Sequence, residues 1–349
     1  MRVAMMTRFV RLIGLASRLA LFAALLFDGT SWAALKVAVI SDLNSSYGST
    51  RYEAGVPRAV GRLVALKPDL VIITGDMVAG QRPSPPLRPD AVEAMWAAFH
   101  LKVTGPIQAA GIPIAVTPGN HDASAHKKFS QERQIFSEQW LDHLPNVFFL
   151  DRKNYPFDYA FSVGEVLFVS LEATRAQALE VGQRIWLDQL LTREGGRFRH
   201  RVVFSHLPIY AFSEGFETEV TADRELEQLL QRHRVDLYLT GHHHAFYPGF
   251  RGSVRFVGQA CLGAGPRKLI GAGQVSERAV TWLEFDGDHL SVTGLAGPQL
   301  DRPIDLETLP RSIRSRDGAM IRDDLRPASA HSIATPAVMA PQPWKETQP

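Results

Sequence analysis

The apolar positions of the chain follow two rhythms. Short runs rich in β-branched residues, apolar on both faces, begin at Leu35 (LKVAVI) and recur at Leu70 (LVIITGD), Ile112 (IPIAVTPGNHD), Val202 (VVFSHLP) and Asp236 (DLYLTGHHH). Runs of this kind suit strands buried between two layers. Between them, residues 53–66, 90–110, 131–144, 183–191 and 222–233 space their apolar side chains as amphipathic helices do. From Tyr159, YAFSVGEVLFVSLEA reads as two strands around a Val-Gly-Glu turn, a hairpin. The expected architecture is α/β, two mixed sheets packed together with helices outside, in one domain over residues 35–297. Beyond residue 300 the rhythm lapses. Pro, Arg, Ser and Ala dominate there, and the expectation for residues 300–349 is a disordered tail with at most a transient helix near 317–325.

Composition changes this picture at the N-terminus. Arg2, Arg8, Arg11 and Arg18 precede the apolar stretch LALFAALLF, and Ser31-Trp32-Ala33 fits a small-x-small cleavage pattern. Residues 1–33 are therefore expected to be a secretory signal peptide, with the mature chain periplasmic or secreted. The stretch falls short of the ~20 apolar residues of a spanning helix, so no stable membrane insertion is expected after cleavage. Losing those four Arg and Asp28 takes the formal charge from +2 to −1. The basic balance belongs to the signal, which removes the case for a nucleic-acid partner. The single cysteine, Cys261, can form no internal disulfide and reads as a small buried hydrophobe.

The polar residues carry the chemistry. Nearly every apolar run ends in metal-ligand types: Asp42, then Gly75-Asp76, then Gly119-Asn120-His121-Asp122, then His206, then Gly241-His242-His243-His244. A Gly-Asp pair alone is an ordinary turn, and a lone His such as His206 is an ordinary core or surface residue. Five such endings at the carboxyl ends of strands can converge in one cleft.

This series resembles the pattern of the calcineurin-like metallophosphoesterases, D-x-H, G-D, G-N-H-[DE], H, G-H-x-H, over about residues 35–295. The resemblance implies a four-layer αββα sandwich and two divalent ions, Mn, Fe or Zn. It implies that Asp42 and His244 hold the first ion, that Asp76 bridges, and that Asn120, His206 and His242 hold the second. It also implies that His121 acts on the leaving group, with Asp122 orienting it. Two ions ~3.5 to 4 Å apart can clamp a phosphoryl oxygen and bring a bound water to a pKa of roughly 7, supplying hydroxide for in-line attack. His243, on the opposite side of the G-H-x-H segment, is expected behind the ligands or at the rim and not as a ligand. Protein Ser/Thr phosphatases of the superfamily continue the Gly-Asp with D-R-G, and purple acid phosphatases place a Tyr where this chain has Ala79. What remains is a phosphoesterase acting on a small phosphomonoester or phosphodiester. The loops 45–51, 81–88 and 212–221 are expected to line its cleft.

One position departs from the pattern. Asn44 stands where D-x-H has its histidine. Its amide oxygen can ligate directly, hold a water in between, or leave the first site weak, with Tyr47 a neighbour able to take the vacated place; alternatively it caps the loop in an Asx turn. The competing class of function is a relative that lost catalysis with its histidine and serves as a ligand-binding or scaffold protein.

Overall fold

In the computed structural model of the chain, residues 33–327 apart from residue 264 are described. The expected signal segment, but for its last residue, lies outside them, as do residues 328–349 of the expected tail. The strands, in chain order, are β1 (Leu35–Ile40), β2 (Leu70–Ile73), β3 (Ile114–Val116), β4 (Phe148–Asn154), β5 (Asp158–Val163), β6 (Val166–Ser170), β7 (His200–Ser205) and β8 (Leu237–Thr240). They continue as β9 (Tyr247–Arg251), β10 (Val254–Gly258), β11 (Ala279–Asp286), β12 (His289–Ala296), β13 (Arg302–Pro303), β14 (Ser312–Ser315) and β15 (Gly318–Arg322).

Among the described residues they form two mixed sheets, in the orders β13-β12-β11-β1-β2-β3 and β14-β15-β9-β10-β8-β7-β6-β5-β4. β1, β2 and β3 are parallel neighbours, as are β6, β7 and β8. Parallel strands are covered on both faces, and β2 and β8 are buried at every residue. Val37, Val39 and Ile72 of the first sheet share one core with Val202, Phe204, Leu237 and Leu239 of the second. On β7, Val203 points the other way, into a second cluster with Leu187, Leu190, Leu226 and Leu229. That alternation, one face to the partner sheet and one to helices, makes the sandwich.

The helices are α1 (Gly55–Leu66), α2 (Pro89–Phe99), α3 (Gly105–Ala109), α4 (Asn120–Ala123), α5 (Ser130–Leu141), α6 (Val181–Glu194) and α7 (Arg224–Arg232). The expected helix over 90–110 is α2 and α3 joined through a π turn, His100–Thr104. α7 begins at Arg224 because the Asp223 carboxylate caps it, accepting from Leu226 N at 2.9 Å. The hairpin expected from Tyr159 is β5–β6, paired Val163 to Val166 across its turn.

The expected disordered tail is corrected over residues 300–327. β14 and β15 pair as a hairpin, and β15 adds to the edge of β9 with Ile321 opposite Phe250. The suggested helix near 317–325 is instead β15 followed by a 3-10 turn, Asp323–Leu325. Ile313 and Met320 are buried in the second cluster, and Arg322 is buried with its fork on Asp324. A few anchoring side chains, not composition, decide this segment.

Candidate metal centre

The loops after β1, β2, β3, β7 and β8 meet at one end of the sandwich. Asp42, Asp76, His242 and His244 all have left-handed backbone, with φ of 51°, 53°, 63° and 51°. Such conformations cost non-glycine residues of order 1–3 kcal/mol each and collect at functional sites. Here a backbone lattice holds them. Asp42 N donates to Gly75 O at 3.1 Å, Leu43 N and Asn44 N both donate to Asp76 O, and His242 N donates to Asp42 Oδ2 at 3.1 Å. Two motif glycines are required by close approach. At Gly75 (φ +96°) a Cβ would stand 2.5 Å from His206 Nδ1, and at Gly119 one would stand 2.2 Å from Asp76 Oδ1.

The result is two buried ligand sets sharing one carboxylate: Asp42, Asp76 and His244, and Asp76, His206 and His242, with ligand atoms in each set within 4.8 Å of one another. His244 Nε2 lies 3.1 Å from Asp42 Oδ1, and His206 Nε2 lies 3.3 Å from Asp76 Oδ1. Asn120 joins the second set, its Oδ1 3.0 Å from His206 Nε2, and its orientation is fixed because Nδ2 donates to Gln81 Oε1 at 2.8 Å. The far nitrogens are anchored as in metal sites. His206 Nδ1 donates to Thr74 O at 2.7 Å and His244 Nδ1 to Gly265 O at 3.1 Å.

Two orphaned atoms test whether divalent ions fit. His242 Nε2 is buried without a hydrogen bond, its nearest counter-charge being Glu219 Oε2 at 3.5 Å. Asn44 Oδ1 is likewise buried without a hydrogen bond. Unmade bonds of this kind are rare in native interiors, and a set of carboxylate, amide and imidazole donors suits hard or borderline cations. Asn44 Oδ1 makes no Asx turn, so that alternative is set aside.

The electrostatics agree. Burial opposes charge on Asp76, yet His206 and His121 beside it hold its carboxyl well below the usual range. Asp42 is also lowered, against its burial, by His244. Burial likewise disfavours the His206 imidazolium, but Asp76, a hydrogen bond to it, and Asp42 raise that ring to about 9. His242 is held well below its ordinary value by burial and by His206. Cys261 is buried, which with the Asp42 charge pushes its thiol up to about 12.

His121 sits at the open side. Its Nδ1 donates to Gly80 O at 2.9 Å, its backbone N donates to Asp76 Oδ1 at 2.9 Å, and its Nε2 is 3.9 Å from Asp76 Oδ2. The orienting role expected of Asp122 is corrected, because the Gly80 carbonyl orients His121. The Asp122 carboxylate accepts from Met77 N (2.8 Å), Val78 N (3.0 Å) and Gly119 N (2.9 Å). It thus clamps the loop after β2 to the start of α4. Consecutive side chains on that helical turn diverge by about 100°, so Asp122 cannot face what His121 faces.

Each loop expected at the cleft supplies a neighbour. The Tyr47 ring lies 5.6 Å from that of His121, Gln81 holds Asn120, and Phe216 and Glu219 stand beside His242. Of the two places expected for His243 it takes the one behind the metal-site residues: it is fully buried and ties down the loop that carries Phe216 and Glu219. Arg267, which no motif marks, donates to His242 O. A cavity of about 240 Å³, lined among others by Arg133, Glu172, Thr174 and Gln183, includes none of the ligands.

The sequence profile of the calcineurin-like phosphoesterases matches residues 35–246. No curated protein matches the chain in sequence. Among solved structures, the fold is similar to a purple acid phosphatase from yellow lupin (Lupinus luteus) seeds, at TM-score 0.59 and 14% identity over 76% of this chain and 52% of that one. The chain thus spans about half the length of the lupin enzyme. It is also similar to a dimetal phosphatase from Danio rerio (TM-score 0.52, 16% identity, 74% and 95% covered). A third similar structure is GAP50, the anchor in the inner membrane complex of Plasmodium (TM-score 0.52, 12% identity, 77% and 86% covered).

Proposed function

The chain belongs to the calcineurin-like phosphoesterase family, and from that premise we propose that it is a two-metal phosphoesterase hydrolysing small phosphate esters. The observation that carries the reading is the pair of ligand sets joined at Asp76, with the His242 Nε2 lone pair left unpaired inside one of them. Asp42, Asp76 and His244 would hold one ion, with Asn44, whose backbone N donates to Asp76 O, as a further neutral donor, and Asp76, Asn120, His206 and His242 would hold the other. Bound there, divalent ions would supply charge for the phosphoryl oxygens and lower the pKa of a water to roughly 7.

The chain's own part is proton management and alignment. Gly80 O accepts from Nδ1 of His121, which leaves Nε2 as the atom presented at the open side of the site. As the ester P–O bond breaks and a water oxygen, giving up one proton to solvent, bonds to phosphorus on the opposite side, the leaving oxygen takes a proton from His121 Nε2, which solvent then restores. Export through residues 1–33 belongs to the same proposal. Among the described residues no helix is long and apolar enough to cross a membrane.

The test is turnover of 4-nitrophenyl phosphate and of bis(4-nitrophenyl) phosphate with added Mn²⁺, Fe²⁺ or Zn²⁺, before and after chelation. Hydrolysis of at least one ester that chelation abolishes is expected. Undiminished hydrolysis after exhaustive chelation, with no metal detected, overturns the proposal. A protein that binds metal and phosphate but turns over neither ester would instead be the non-catalytic relative, a reading that rests on Asn44 alone.

A further inference from the structure

Arg267 is the unexplained charge at this site. Its guanidinium lies 3.3 Å from the centroid of the Phe216 ring, and its Nη1 donates to the carbonyl of His242, one of the ligand residues. Its backbone N donates to His244 O, the other end of the same motif, at 3.2 Å. It is half-buried, and among the described residues no carboxylate lies within ion-pair distance of it. A half-buried guanidinium stays charged, and its remaining N–H groups need acceptors.

The surroundings hold it still. His243 grips the loop under Phe216 from both ring nitrogens: Nδ1 accepts from Phe212 N (3.2 Å) and Ser213 N (3.3 Å), and Nε2 donates to Glu219 O (3.0 Å). That loop is stitched to the segment carrying Arg267, with Glu214 N donating to Lys268 O and Ile270 N to Phe212 O, both at 2.9 Å. The aromatic shelf and the guanidinium therefore form one platform beside the second ligand set. A flat cation stacked on an aromatic ring keeps its in-plane N–H edge free for an anion.

We propose that Arg267, shelved on Phe216, binds the anionic oxygens of the substrate's phosphoryl group and weights recognition toward the dianionic phosphomonoester. This rests on the phosphoesterase reading for the identity of the anion. The dianion carries twice the charge of a diester, so the guanidinium attracts it more strongly. The His243 loop acts only by positioning.

Calorimetric titration of inorganic phosphate into the metal-loaded protein tests it, alongside metal content and turnover of the two nitrophenyl esters. Arg267→Ala should weaken phosphate binding about 10- to 100-fold, the scale of charge-assisted hydrogen bonds, with metal content unchanged. It should raise KM for the monoester more than for the diester. Phe216→Leu should give the same pattern, smaller. If the wild type turns over neither ester yet Arg267→Ala still weakens phosphate binding tenfold, the phosphoesterase reading fails while Arg267 keeps its role. Phosphate affinity within twofold of wild type at equal metal content overturns the proposal and leaves Arg267 a stacking partner of Phe216. Should Arg267→Ala not fold, Arg267→Lys decides: a loss of threefold or more supports the role, and unchanged affinity overturns it.

Discussion

His206 makes metal binding a competition with a proton, and pH is the simplest perturbation of it. In the metal-free protein both ring nitrogens face acceptors, Thr74 O at 2.7 Å and Asn120 Oδ1 at 3.0 Å, and the ring holds its proton to about pH 9. At pH 7 roughly one molecule in a hundred then offers a free Nε2 lone pair, so apparent affinity at the second site should rise about tenfold per pH unit from 7 to 9. About one proton should leave His206 per ion bound at pH 7. Stability follows the same window. Because the folded value lies above the ordinary 6.5, the charged ring stabilises the metal-free fold fully below pH 6.5, and that support is lost as pH rises through 9. Some 2.5 units correspond to about 3 kcal/mol. Calorimetric metal titrations at pH 7, 8 and 9, repeated in buffers of different ionisation enthalpy, read both affinity and proton release. An affinity that moves less than twofold across that range, with no proton released, would refute the reasoning.

His121→Ala should lower turnover by about 10² to 10⁴ with metal content nearly unchanged, whereas Asp122→Ala, which strips three backbone N–H groups of their acceptor, should lower metal content and melting temperature together; elemental analysis and thermal melts separate the two. Asn44→His should tighten the first site, built on Asp42, Asp76 and His244, which in wild type should fill second; two equally tight sites in a wild-type metal titration would show that the asparagine costs nothing. Met320→Ala, in a buried position of the β14–β15 hairpin, should cost about 2–5 kcal/mol in denaturant unfolding, and a change below about 0.5 would mean that the hairpin adds nothing to the fold.

The strands that carry the ligands were the legible part of the sequence, because burial on both faces forces near-continuous apolar runs at β2 and β8 and each run ends on its ligand. Adjacency to His121 in sequence says little about what Asp122 faces once the segment turns helical at α4. Alternation in an extended chain turns His243 away from the pair His242 and His244, and although those two are left-handed its ring does lie apart from them, buried against the loop at 212–219. The β14–β15 hairpin left almost no trace, since an edge pairing with β9 needs only Ile313 and Met320 to be apolar. Arg267 belongs to no periodic pattern, and only the approach of its loop to Phe216 brings it to the site.

The shared carboxylate is the centre of this account, and electron paramagnetic resonance of the Mn²⁺-loaded protein reaches it most directly. Ligand sets that meet at Asp76 predict two ions per chain with an exchange-coupled spectrum, and Asp76→Ala should abolish the coupling. A single ion per chain, or two ions with uncoupled spectra, would contradict it.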